Sequence, residues 1–163
     1  KIFDPCGGWG GRLVGMLSNF GEGSKYENRD ITIMTNDINN ETKGRFGCVL
    51  NFWNDYIYES KKDNIKFIET VLPAEDISLE FMKEDNRFKE HIGTVNIAIT
   101  SPPYFNKEAY NKDNPLQSHN RYNQYDTWRD GFLKPLLKNT YDLLKKGGIF
   151  YLNIADVDKL PLQ

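Results

Sequence analysis

The sequence predicts a doubly wound α/β domain with a mainly parallel sheet and helices on both faces, and three observations carry that reading. Five short runs rich in β-branched and aromatic residues alternate with stretches whose apolar residues recur every three or four positions. That alternation is the signature of strands and amphipathic helices in turn. The first run passes directly into a glycine-rich turn, the opening half of a βαβ unit. The residues with chemical potential fall at the carboxyl ends of the runs, where ligands sit in open parallel sheets. At 163 residues the chain fits a single domain, 1–163, large enough to bury a core.

Taken in order, Lys1-Ile2-Phe3 reads as the tail of a first strand and Asp4 through Arg12 as the glycine turn. Such a turn lets a ligand touch the backbone closely, and the following helix supplies oriented N–H groups. That helix runs from Arg12 to Phe20 on Leu13, Val14, Met16, Leu17 and Phe20, and Gly21 ends it. A second strand, Ile31 to Thr35, leads to Asn36-Asp37. An acid at that tip is placed to accept hydrogen bonds from a ribose diol. Asn39 or Asn40 caps a second helix carrying Phe46, Val49, Leu50 and Trp53. The third strand, Ile65 to Glu69, leads to Glu75-Asp76, which suit an adenine amino group, while an N-cap at Asp76 explains the same pair equally well. Leu79, Phe81, Met82 and Phe88 mark a third helix before a fourth strand over 94–100.

That fourth strand stops at Ser101-Pro102-Pro103-Tyr104. Two prolines fix φ and withhold donors, so the loop behind the strand is rigid. It presents a hydroxyl, a carbonyl and an aromatic ring, a set that suits a flat molecule bearing an amino group. An irregular, aromatic-rich segment follows from Phe105 to Tyr125, and a loop of this length in a compact domain is commonly functional. A last helix, capped by Asp126 or Thr127 and kinked at Pro135, ends at Lys145-Lys146-Gly147-Gly148, and a fifth strand covers Ile149 to Ile154.

Composition removes several classes. No run approaches the ~20 apolar residues of a membrane span. Cys6 and Cys48 form neither a disulfide framework nor zinc-ligand spacing, and His91 and His119 add no metal site, which points to a reducing, cytoplasmic setting. The net charge of −2 argues against non-specific coating of nucleic acid. Residues 105–146, however, hold 8 Lys/Arg against 5 Asp/Glu, while 1–104 hold 12 against 16. A basic segment beside an amine-binding loop can guide a polyanion.

Asp4-Pro5-x-x-Gly8-x-Gly10 followed by Ser101-Pro102-Pro103-Tyr104 resembles the S-adenosylmethionine-dependent DNA methyltransferases that modify the exocyclic amine of cytosine or adenine. The resemblance covers most of the chain. It implies a Rossmann-like methyltransferase fold cut after its fifth strand, with no counterpart for the sixth and seventh strands or for a target-recognition domain. It also implies S-adenosylmethionine as cofactor, DNA as substrate, and a restriction-modification setting. By the same resemblance Asp4, Cys6, Gly8 and Gly10 hold the methionyl part, Asp37 the ribose and Asp76 the adenine, while Ser101, Pro102, Pro103 and Tyr104 are catalytic. Lys107, Lys112, His119 and Arg121 are the candidate contacts to nucleic acid. Serine in the first catalytic position is typical of cytosine-N4 enzymes. Cys6 replaces a usual phenylalanine and Gly11 a frequent threonine. The motif order also differs from that of many cytosine-N4 enzymes.

RNA or a protein amide would suit the same chemistry, and a non-catalytic DNA-binding domain would keep the same fold. A nicotinamide-dependent oxidoreductase fits less well, because Gly8-Trp9-Gly10-Gly11-Arg12-Leu13 lacks the third glycine of that fingerprint.

Overall fold

The computed structural model describes residues 1–20, 23–26, 29–42, 44–53, 65–108 and 110–155. Strands β1 (Ile2–Asp4), β2 (Ile31–Asn36), β3 (Ile65–Thr70), β4 (Val95–Thr100) and β5 (Leu144–Leu152) form one sheet in the order β3-β2-β1-β4-β5. All four pairings are parallel. Helices α1 (Gly11–Ser18), α2 (Arg45–Phe52), α3 (Leu79–Glu84), α4 (Ser118–Arg121), α5 (Tyr125–Trp128) and α6 (Lys134–Leu143) connect or cover the strands. This is the Rossmann-like α/β architecture that the alternating pattern predicts.

Layering follows from the period of two along each strand. Ile31 and Ile33 of β2 pack with Leu13 and Leu17 of α1 and with Phe46 of α2. Their neighbour Met34 faces the other way, joining Phe3, Ile68, Met82 of α3 and Leu143 of α6. A third cluster brings Trp128, Phe132, Leu133 and Leu136 against Ala74, with Phe150 of β5 beside it. Full burial of each such large apolar side chain contributes ~1.5–3 kcal/mol, so both faces of the sheet are held. Among the described residues no helix is long and apolar enough to cross a membrane.

Several boundaries differ from the sequence reading, each for a local reason. Gly44, at φ 82°, precedes α2 in the place expected for Asn39 or Asn40. Asn39 instead accepts a hydrogen bond from the Glu41 N–H at 3.1 Å and closes its own turn. Ser78 caps α3, its hydroxyl accepting from the Phe81 N–H at 3.2 Å. The last long helix starts at Tyr125 and contains a π-helical stretch, Arg129–Leu133, directly before Pro135. Proline has no N–H to return to Gly131 and its ring crowds that carbonyl, so the helix widens locally where a kink was expected. Leu144 to Gly148 belong to β5, whose register slips between Val95 and Ile97. Gly21 lies outside the described residues.

The strand order reverses between β1 and β4. The crevice outside the carboxyl ends of those two strands is the topological switch point, where open α/β sheets bind their ligands. Here β1 delivers the glycine turn and β4 delivers Ser101 to that crevice.

Candidate active site

Asp4 is buried beneath the glycine turn and braces it. One carboxylate oxygen accepts from the Cys6 N–H at 3.2 Å, and the other from Arg12 Nε at 2.6 Å. The same guanidinium donates to the Cys6 carbonyl. Burial raises the Asp4 pKa above the ordinary carboxylate value, and Arg12 opposes that shift. Asp4 thus acts on the shape of the turn from below and does not line the cleft described below. Gly8 and Gly10 adopt φ values of 57° and 87°, which only glycine takes without strain. Gly7 is confined differently: a Cβ there would run into the Thr35 hydroxyl and come within 2.7 Å of the Phe46 ring. Gly7→Ala is therefore expected to lower stability by about 1–3 kcal/mol, read as an earlier midpoint in urea.

Asn36, at the end of β2, ties three strand ends together. Its side-chain N–H groups donate to the carbonyls of Pro5 at 3.0 Å and Leu72 at 2.9 Å. Its oxygen accepts from the Leu72 N–H at 3.1 Å and the Thr70 hydroxyl at 2.8 Å. All four hydrogen-bonding positions of the amide are filled. The tails of β1, β2 and β3 therefore arrive at the crevice as one unit.

Asp37, the next residue, accepts from the Gly8 N–H at 2.8 Å and the Asn39 N–H at 2.9 Å. A carboxylate has roughly four acceptor sites, so two remain for a ligand. Burial pushes its carboxyl up, and the two backbone N–H groups pull it down.

The acids after β3 separate. Glu75 is buried and lines the cleft, whereas Asp76 is exposed and lies outside it. Adjacent residues of a 3-10 turn, Ala74–Asp76, point in different directions, which places Glu75 where Asp76 was expected. Arg121 binds both acids, at 2.9 Å to each. It is thereby held against the protein, away from the nucleic-acid role expected of it.

Burial pushes the Glu75 carboxyl up to about 7, against the opposing pull of Arg121. Because the folded value lies above the ordinary 4.5, the folded state holds this proton more tightly than the unfolded chain does. The resulting stabilisation is complete below about pH 4.5 and is lost as pH rises toward 7. Its size is on the order of 3 kcal/mol. Glu75→Gln is expected to flatten the difference between urea midpoints measured at pH 5 and pH 8.

At the tip of β4, Ser101 Oγ lies 2.9 Å from the Tyr104 hydroxyl and accepts from Asn153 Nδ2 at 3.3 Å. Tyr104 in turn donates to the Asn153 carbonyl at 3.3 Å. Ser101 and Pro103 line the cleft, while Pro102 is buried and Tyr104 stands outside it.

The cleft has a volume of about 440 Å³, within the ~300–1,000 Å³ typical of small-molecule sites. One wall is the glycine turn, with Cys6, Gly8 and the exposed Trp9; another is Asn36 to Asn39; a third is Leu72 to Glu75. The segment after Ser101 to Tyr104 supplies the fourth, through Glu108, Tyr110 and Leu116 to Ser118. Part of the segment expected to meet nucleic acid therefore closes the cleft itself. Lys107 and Lys112 are exposed. His119, a candidate contact to nucleic acid, is only partly exposed, with a buried Nδ1. Arg45 stacks on the Trp9 ring at 4.5 Å.

The sequence reading missed Gly7, Arg12, Asn36, Gln117 and Ser118. A faint signal existed for Arg12, a lone cation behind a buried acid. The walls fit a nucleoside-bearing ligand: glycine backbone for close approach, an acid with spare acceptor sites, and the buried Ser118 hydroxyl, which has no partner among the described residues.

Residues 95–160 match the family model described as DNA methylase, a span that includes β4, Ser101 to Tyr104 and β5. The match is a likeness of this part of the chain to DNA methylases. Comparison of the chain with curated proteins gives no match.

Proposed function

We propose that this chain, whose residues 95–160 carry the DNA methylase pattern, is a single catalytic domain over 1–163. In this reading it transfers a methyl group from S-adenosylmethionine to the exocyclic amine of a DNA base, cytosine-N4 ahead of adenine-N6. The observation that carries the proposal is the meeting of two strand tips at the switch point. Ser101 on β4 and the glycine turn on β1 share one cleft.

Bound S-adenosylmethionine supplies an electrophilic methyl group on a sulfonium. The chain's own residues do the rest. An exocyclic base amine is a poor nucleophile because its lone pair is delocalised into the ring. Acceptors that hold its protons turn the lone pair toward an electrophile. Ser101 Oγ and the Pro102 carbonyl are those acceptors, and no donor among the described residues reaches the Pro102 carbonyl. Asp37 takes the ribose hydroxyls, and Cys6, Gly8 and Gly10 shape the loop against the methionyl part, with Asp4 and Arg12 bracing it. Rate comes chiefly from orientation, which supplies up to ~7–11 kcal/mol in well-aligned reactions. A base in duplex DNA has to be flipped out to reach the cleft, with Tyr104 as its stacking partner and Lys107 and Lys112 facing the displaced strand.

The test is mass spectrometry of nucleosides from DNA incubated with the full chain and S-adenosylmethionine. N4-methylcytosine is the expected product, N6-methyladenine would reassign the target base, and absence of any methylated base would refute the activity.

A further inference from the structure

Two polar side chains in the cleft have no hydrogen-bond partner among the described residues. Gln117 is 2% exposed and Ser118 4% exposed, and both line the cleft. Among the described residues the Ser118 hydroxyl is buried and unpartnered, and the Gln117 side chain makes no hydrogen bond. A buried polar group left without a partner costs about 1–3 kcal/mol, so the Ser118 hydroxyl in particular stands ready for a ligand, with the Gln117 amide beside it. A ligand that bonds to both removes the cost.

Their position in the cleft identifies which part of a ligand that is. Three residues before Gln117, Asn114 reaches the Ile38 carbonyl at 3.5 Å, immediately past Asp37. Three residues after Ser118, Arg121 is fixed to Glu75 at 2.9 Å. The pair is thus suspended between the tip of β2 and the turn after β3. Gln117 offers both a donor and an acceptor, and Ser118 a rotatable hydroxyl, which together match the mixed donor and acceptor edge of a purine nucleoside.

We propose that Gln117 and Ser118 bind the nucleoside half of the cofactor, so that the segment following the catalytic loop is a wall of the cofactor cleft. This assignment rests on the cofactor reading above. The hydrogen bonds are made on binding, and occupancy of the cleft therefore fixes the same segment that leads from Ser101 toward the DNA-facing lysines.

The experiment measures binding of S-adenosylhomocysteine and of 5′-methylthioadenosine, which lacks the amino-acid part, to the full chain by calorimetry. Gln117→Leu is expected to weaken both ligands by about tenfold, and by the same factor. Ser118→Ala removes an unpartnered hydroxyl, so the ligand-free Tm is expected to stay unchanged or rise while the ligand-induced Tm shift shrinks. This variant keeps the test decisive if Gln117→Leu does not fold. Unchanged affinities for both ligands in both variants would overturn the assignment. A loss confined to S-adenosylhomocysteine would overturn it too, by placing the contacts on the amino-acid part. If the unmodified chain bound neither ligand, the cofactor reading itself would fall, and the assignment with it.

Discussion

Replacing Ser101 with alanine is expected to slow methyl transfer by roughly 10²–10³-fold while S-adenosylmethionine affinity stays within about threefold. In the proposed reaction the serine oxygen is one of two acceptors for the amine protons. Its hydroxyl is oriented by Asn153 Nδ2 at 3.3 Å and by the Tyr104 hydroxyl at 2.9 Å, which leaves one lone pair for the base. Alanine leaves the Pro102 carbonyl as the sole acceptor, a loss felt when the amine rehybridises and little before. Single-turnover transfer of labelled methyl groups, beside a calorimetric titration of the cofactor, separates the two quantities. Equal losses in rate and in cofactor affinity would contradict the role.

Asn36→Leu is expected to remove about 3–4 kcal/mol of stability, the largest effect of any single substitution away from the hydrophobic clusters. Leucine matches asparagine in bulk but bonds to none of its four partners. The Pro5 and Leu72 carbonyls and the Leu72 N–H would be left in a buried site, and the Thr70 hydroxyl would keep only the Thr35 carbonyl at 3.5 Å. Chemical denaturation reads this directly as a lower midpoint at constant slope. A change below about 1 kcal/mol would mean that water replaces the amide at this junction.

The contrast between these two residues shows what the sequence discloses. Ser101 stands in a local pattern, a β-rich run halted by two prolines, and its strand-end position follows from nearest neighbours. The five strands and the glycine turn are legible for the same reason. Asn36 ends a strand too, but asparagine at a strand end also reads as an ordinary turn residue. Its partners are 31 to 36 residues away in the chain, and no short-range rule reveals them. Arg121 misled for the same reason. It is a cation in a basic segment by sequence, yet its charge is directed to carboxylates 45 and 46 residues earlier. Glu75 and Asp76 are indistinguishable in sequence, and only the 3-10 turn that bears them decides which enters the cleft. Caps failed similarly: Asn39 and Asn40 are good capping residues, but Gly44 supplies the left-handed conformation before α2.

Trp9 gives the chain an optical property. Of its three tryptophans, Trp53 and Trp128 lie in apolar clusters, and Trp9 is 59% exposed on the cleft wall beneath the Arg45 guanidinium. The indole in water is accessible to a soluble quencher such as iodide, whereas the two interior indoles are shielded. Emission from the protein therefore divides into a quenchable red-shifted part from one known residue and a protected blue part from the interior. A molecule that enters beside the glycine turn is expected to alter the first part, so the chain's own fluorescence reports filling of the cleft without a label.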